Sequence, residues 1–358
     1  MPRSGSRCSV LCVLLIAAPT SPSFAAEPDG SDPGRLYSTR KEQREAGLQR
    51  QLTPWLTLSG LAELEWAADR FSSAGRRDYV DEADATVQIG LIATPMDKLE
   101  AELIAEFDTV TEKVKTEEAT LSLEVDRWDL TLGKQYLPFG VYFSHFATGP
   151  LIELGETRAE AATLAYDYKD RVELSLSGYR GRTRSRESGE NGIDLALGVN
   201  IWAAEFLSFG VSYVTDLGDA DSRLLEDEDD VFIDKVAGLS GYLLWVAENF
   251  EVSIEALGAT RSFAELGADR NRPFAWNLEF VYFPYRRFDW ALRLEGSREL
   301  QDAPRLQYGV AVNARLHRYV TLTVEVLHGS FKGDLASDDD NNPYAHVNHV
   351  GVQLSIVF

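Results

Sequence analysis

From Trp55 to Phe358 apolar and polar residues alternate with a period of two, in segments separated by polar breaks. In Leu56–Trp66 one face carries Leu56, Leu58, Ala62, Leu64 and Trp66, and the other Thr57, Ser59, Glu63 and Glu65. Successive strand side chains point to opposite faces, so each segment predicts a strand with one greasy and one wet side. The same pattern recurs in Ala85/Val87/Ile89/Leu91, Leu207/Phe209/Val211/Tyr213, Trp276/Leu278/Phe280/Tyr282 and Val350/Val352/Leu354/Ile356/Phe358. Only Ala237–Val246 is ambiguous, because both of its faces are apolar. About sixteen such segments of roughly ten residues are present, the length of a tilted membrane-spanning strand.

The connections sort by length. Short ones fall at Thr94–Lys98, Asp126–Arg127, Lys169–Asp170, Ala203–Glu205, Glu248–Asn249, Tyr285–Arg287 and His317–Arg318. Long ones fall at Asp69–Glu82, Leu137–Arg158, Arg180–Asn191, Asp216–Asp234, Phe263–Phe274 and Phe331–His346. Short turns on one side and long loops on the other are the habit of outer-membrane barrels, and a soluble sandwich has no reason to show it. Aromatics such as Trp55, Trp128, Trp202, Trp290 and Tyr319 flank the short turns, and Tyr136, Tyr213 and Phe274 the long loops, as in two interfacial belts. The expected fold is all-β: a transmembrane, antiparallel, up-and-down barrel of about sixteen strands over 54–358, with short periplasmic turns and long extracellular loops.

The one strongly apolar run, Val10–Ala18, is too short to cross a bilayer as a helix. With Arg3 and Arg7 before it and Ser23-Phe24-Ala25 after it, it reads as a secretory signal peptide over 1–25, followed by a periplasmic segment over 26–53. Both cysteines, Cys8 and Cys12, lie inside that signal, so the exported chain has no disulfide to hold it. Removing the signal takes the net charge from −22 to −24, a poor balance for binding nucleic acid. Phe358 ends an alternating strand in an aromatic, which resembles the signal read by the outer-membrane assembly machinery.

With the apolar face turned to outer-membrane lipid and lipopolysaccharide, the other face lines the lumen. Its expected members are Glu63, Glu65, Glu100, Glu102, Glu106, Asp108, Glu124, Asp129, Glu255, Glu279, Glu295 and Glu325, with Arg293 and Arg315 the clearest basic ones. Carboxylates in such excess cannot be packed dry and require water, a basic plug or bound cations. Water in a wide barrel is the simplest, which predicts a porin that prefers cations. The segment Arg35–Arg50, basic on balance and helix-like in pattern, either enters that lumen or hangs as a periplasmic arm.

Leu137–Arg158 is the most distinctive loop. Its apolar, glycine-hinged sequence predicts an inward fold that forms a constriction or a substrate-contacting shelf, with Tyr136, Phe139, Phe143, Glu153, Glu156 and Arg158 on it. Acidic loop residues Asp219, Asp221, Glu226–Asp230 and Asp338–Asp340 either share divalent cations with lipopolysaccharide or are simply solvated. Ser144-His145, and His328, His346 and His349, are the places where a catalytic or metal site would have to be sought; no cofactor is expected, and the chain is read as a non-enzyme.

The GKQYLPFG stretch at 133–140 and PLIELGETR at 150–158, with the opening strand Leu56–Trp66 and the barrel to Phe358, resemble the LbtU-type siderophore porin family of Gram-negative outer membranes. That resemblance implies uptake of iron–siderophore complexes through a porin-like barrel. The alternative within transport is a general or cation-preferring diffusion porin, and from other classes a barrel enzyme or a structural barrel. Barrels of this strand number commonly form homotrimers.

Overall fold

The computed structural model describes residues 49–358, apart from 74, 186–190, 223, 225–230, 233, 269, 286, 334 and 339–341. The expected signal peptide, the basic segment up to 48, the acidic run 226–230, Asp339 and Asp340 lie outside the described residues.

The first half of the chain forms β1 (Arg50–Thr53), β2 (Leu56–Ser73), β3 (Arg76–Met96), β4 (Leu99–Asp108), β5 (Lys113–Val125) and β6 (Trp128–Tyr136). Then follow β7 (Arg158–Tyr168), β8 (Val172–Ser185), β9 (Asn191–Ala204), β10 (Leu207–Val214), β11 (Val231–Phe232) and β12 (Gly238–Val246). The last six are β13 (Phe250–Ala259), β14 (Phe274–Tyr285), β15 (Phe288–Arg298), β16 (Leu306–His317), β17 (Val320–Ser330) and β18 (His346–Val357). Sixteen of them pair antiparallel in chain order and close when β18 returns to β2. The two extras are short: β1 lies against the start of β2, and β11 runs parallel to the end of β8.

Each expected segment falls on one barrel strand, and the ambiguous Ala237–Val246 is β12. Two expected long loops are in part strand. Asp69–Glu82 is the tip of a continuous hairpin in regular register to Ser73↔Arg76, and Arg180–Asn191 is largely the ends of β8 and β9. Above the membrane both faces of a strand are wet, so period-two alternation stops while the hydrogen-bonded ladder continues.

The alternation sets the faces. Leu64, Trp66 and Leu292 are about half exposed, whereas Leu61 and Glu63 on the opposite face of β2 are almost wholly covered. An apolar outside of this extent is stable only against lipid. Rings near the short turns pair on that outside, Trp128 with Tyr166 at 4.6 Å and Trp245 with Phe250 at 5.0 Å. At closure, Phe358 exchanges backbone hydrogen bonds with Gly60 at 2.5 and 2.8 Å, and its ring lies where a side chain at Gly60 would have to go. The main hydrophobic cluster joins loop residues Leu137, Phe139, Ile152 and Leu154 to wall residues Val214, Leu257 and Ala275, which face the lumen.

Candidate functional site: a loop held inside the barrel

Residues 137–157, between β6 and β7, turn into the barrel. The turn is made by Gly140 at φ +79° and Tyr142 at φ +52°, with the Tyr142 hydroxyl donating to the Phe139 carbonyl at 2.6 Å. The Tyr142 ring covers Gly140 and leaves no space for a Cβ there. Phe139 and Ile152 are fully buried, and each such side chain contributes roughly 1.5–3 kcal/mol by leaving water. A short 3-10 turn, Leu151–Gly155, seats Ile152 and Leu154 in the same cluster.

A buried loop must also satisfy its backbone N–H groups. Here the wall glutamates accept them. Glu255 receives Val141 and Tyr142 at 2.9 and 3.0 Å, and Glu279 receives His145 at 3.0 Å. Glu325 receives Ala147 at 2.6 Å and Thr148 at 3.0 Å, and Glu295 receives Leu151 at 2.7 Å. Arg293 supplies the matching cation: it donates to Glu279 at 2.8 Å, to the Thr148 carbonyl at 2.9 Å and to the Ser144 hydroxyl, with Phe146 packed on its face at 4.2 Å. Sequence reasoning offered water, a basic plug or cations as partners for these carboxylates. For four of them the partner is the chain's own backbone, which carries no sequence signature.

Glu251, which alternation places on the lumenal face with Glu255, and Asn313, which was not singled out, complete this wall. Asn313 donates to the His145 carbonyl at 2.9 Å and to Asp289 at 2.6 Å, and Glu251 lies 3.4 Å from the His145 ring. Alternation does put Asn313 on the same face as Arg315, so it was findable.

On the wall β2–β5 the inward carboxylates meet neighbouring side chains or a local turn instead of the loop. Glu106 accepts from Gln88 at 2.5 Å and pairs with Lys115 at 2.9 Å, and Glu65 accepts from Gln353 at 2.7 Å. Asp129 of β6 accepts from Thr131 at 2.8 Å, and Asp108 from the Thr111 N–H at 2.7 Å. Glu63 is buried, Glu102 and Arg315 are half-buried, and Glu100 and Glu124 near the short turns are exposed. Tyr136 and Arg158 face each other across β6 and β7 at the two feet of the loop, linked through Glu117. Phe143 meets the edge of Tyr242 at 6.3 Å.

Glu153 and Glu156 border a hollow of about 490 Å³ at the outer mouth, lined also by Asp221, Glu299, Asp302 and Arg270. The segment after β10 props the loop there: the Asp221 N–H donates to the Glu156 carbonyl at 2.7 Å, and Ser222 to the Leu154 carbonyl at 2.6 Å. Asp216 of that segment is buried beside Asp219. Burial pushes its carboxyl up to about 7, the Asp219 charge adds to the rise, and hydrogen bonds from Thr183 and Gly218 oppose it.

The acidic loop residues are engaged: Asp219 accepts the Arg182 and Thr183 N–H groups, Asp221 pairs with Arg158 and Arg182, and Asp338 with Arg76. Among the described residues no group of three or more metal-ligating side chains converges. His328 and His346 stack at 5.6 Å on the outer face, while His349 points inward to Asp69 and Glu325. Ser144 bonds to Arg293 and the Phe146 N–H, and the His145 ring faces Glu251.

A closed sixteen-strand barrel with an apolar belt, polar interior and infolded loop defines an outer-membrane barrel of the porin fold. Solved structures agree with that class. The anion-selective porin of Comamonas acidovorans superposes with a TM-score of 0.64 at 11% identity, covering 85% of this chain and 99% of that one. OmpT of Vibrio cholerae, in a trimer form, gives 0.57 at 10% identity, over 85% and 100% of the two chains. The outer-membrane channel DcaP of Acinetobacter baumannii gives 0.56 at 12% identity, over 86% and 99%. No protein-family model and no curated protein matches the chain.

Proposed function

We propose that this barrel is a porin whose acidic, loop-narrowed lumen admits cationic solutes, with iron–siderophore complexes as the physiological cargo. The observation that carries the reading is the mouth hollow beside the loop, whose lining includes Glu153, Glu156, Asp221, Glu299 and Asp302 with Arg270. Carboxylates ringing a constriction favour cations. The Comamonas porin is described as anion-selective, which is no obstacle, because a shared fold leaves selectivity to the side chains. Leu154, Leu224, Leu266 and Leu300 make the same hollow partly apolar, as a ligand carrying a hydrocarbon scaffold would require. The resemblance to the LbtU-type family supplies the cargo class, and assembly as a trimer is part of the same reading.

Proteoliposome uptake tests it. A positively charged ferric hydroxamate should enter faster than a negatively charged ferric catecholate of similar size, and Glu153→Gln with Glu156→Gln should narrow the difference. Equal entry of both would leave a general diffusion pore; faster entry of the anion would overturn the reading.

A further inference from the structure

The outward face of the barrel carries a polar row that the channel does not use. Strand register aligns Tyr308, His328, Asn348, Arg70 and Tyr79 side by side across β16, β17, β18, β2 and β3. This row shares the lipid-facing side with Trp66, Val326 and Val350, and it lies directly above Val326, Val350, Ala68 and Asp81. One row further out stand His346, Ser72 and Arg77. The belt therefore changes from largely apolar to polar, with Arg70 and then Arg77 on it, within one residue pair at the long-loop end of the barrel.

A hollow of about 610 Å³ opens there, lined by Arg70, Ser72, Arg76, Arg77 and Asn348 among others. Arg76 is engaged by Asp78 and Asp338. Arg70 is different: its guanidinium lies over the Tyr79 ring at 5.6 Å, and its Nε is buried with no hydrogen-bond partner among the described residues. A buried guanidinium N–H left unpaired costs free energy, and an acceptor in the hollow would remove that cost. The acceptor that suits two forked cations, Arg70 and Arg77, beside serine and asparagine donors is a phosphate.

We propose that this hollow holds the phosphate of an outer-leaflet lipid headgroup, whose acyl chains run down over Val350, Val326 and Trp66. The lipid source follows from position, because the basic row sits at headgroup height on the outside of the barrel rather than at its mouth. The nearby carboxylates Asp78 and Asp338 already pair with Arg76, and Asp81 faces the same side one row below.

Native mass spectrometry of the delipidated barrel, titrated with bisphosphorylated lipid A, its dephosphorylated form and inorganic phosphate, tests this. The phosphorylated lipid should bind the wild type about tenfold or more tighter than the dephosphorylated one, a difference of ~1.4 kcal/mol. Arg70→Ala with Arg77→Ala should remove that preference, and Arg70→Lys should keep part of it. Equal binding of the two lipids by the wild type would overturn the proposal, and that arm needs no variant to fold. Inorganic phosphate binding as tightly as the lipid would overturn the lipid assignment in favour of free phosphate.

Discussion

The walls β13–β17 and β2–β5 line the same lumen with the same residue type and use it differently. On β13–β17, Glu255, Glu279, Glu295 and Glu325 give their oxygens to the backbone of an infolded loop, and Arg293 pairs with Glu279 and Glu295. On β2–β5, Glu65 and Glu106 are met by Gln353, Gln88 and Lys115. One wall clamps a structural element, and the other faces the lumen with its carboxylates met by their own strand neighbours. A glutamate's role in a barrel is thus set by what the loops bring to it, and its face alone does not decide it.

Breaking the clamp should have the largest effect. Arg293→Met leaves Glu279 and Glu295 buried without their cation, and losing one partner of such a set costs about 3–5 kcal/mol. Denaturant unfolding should show that loss, and single-channel recordings should become larger and noisier as the loop comes away. Next, Glu255→Ala strips the acceptors from two loop N–H groups, at about 2 kcal/mol. An unchanged unfolding midpoint in that variant would remove the clamp from the account.

The prop under the loop should respond to pH. Asp216 has a folded value raised to about 7 from 3.8, so the folded state favours its protonated form. Its contribution is complete below about 4 and is lost as pH rises through about 7. Hydrogen exchange across Thr215–Ser222 should therefore quicken, beyond the intrinsic rate, between pH 4 and pH 7. Asp216→Asn should make that protection pH-independent. The smallest stability effect belongs to the opposite wall: Glu65→Gln should change the unfolding free energy by less than about 1 kcal/mol, yet lower the cation preference measurably.

Strand number, faces and the sorting of short turns were legible because lipid on one side and polar contents on the other impose a strict period of two. The hairpin tip Ser72–Arg77 was not, since both sides of it are wet. The inward fold of Leu137–Arg158 could be anticipated from Phe139 and Phe146, which have no place in water, and both are buried. The partners of Glu255 or Glu325 could not, because a backbone N–H looks the same at every position of a sequence. Glu117 was missed for a related reason: it sits where the register of β4 and β5 shifts, and bulges leave no mark in the alternation.

The most direct test of the central claim is the reversal potential of the purified, folded barrel in a planar bilayer across a tenfold potassium chloride gradient. An acidic lumen predicts a potential of the sign set by potassium, shrinking when Glu153 and Glu156 are both replaced by Gln. A potential of the sign set by chloride would contradict it.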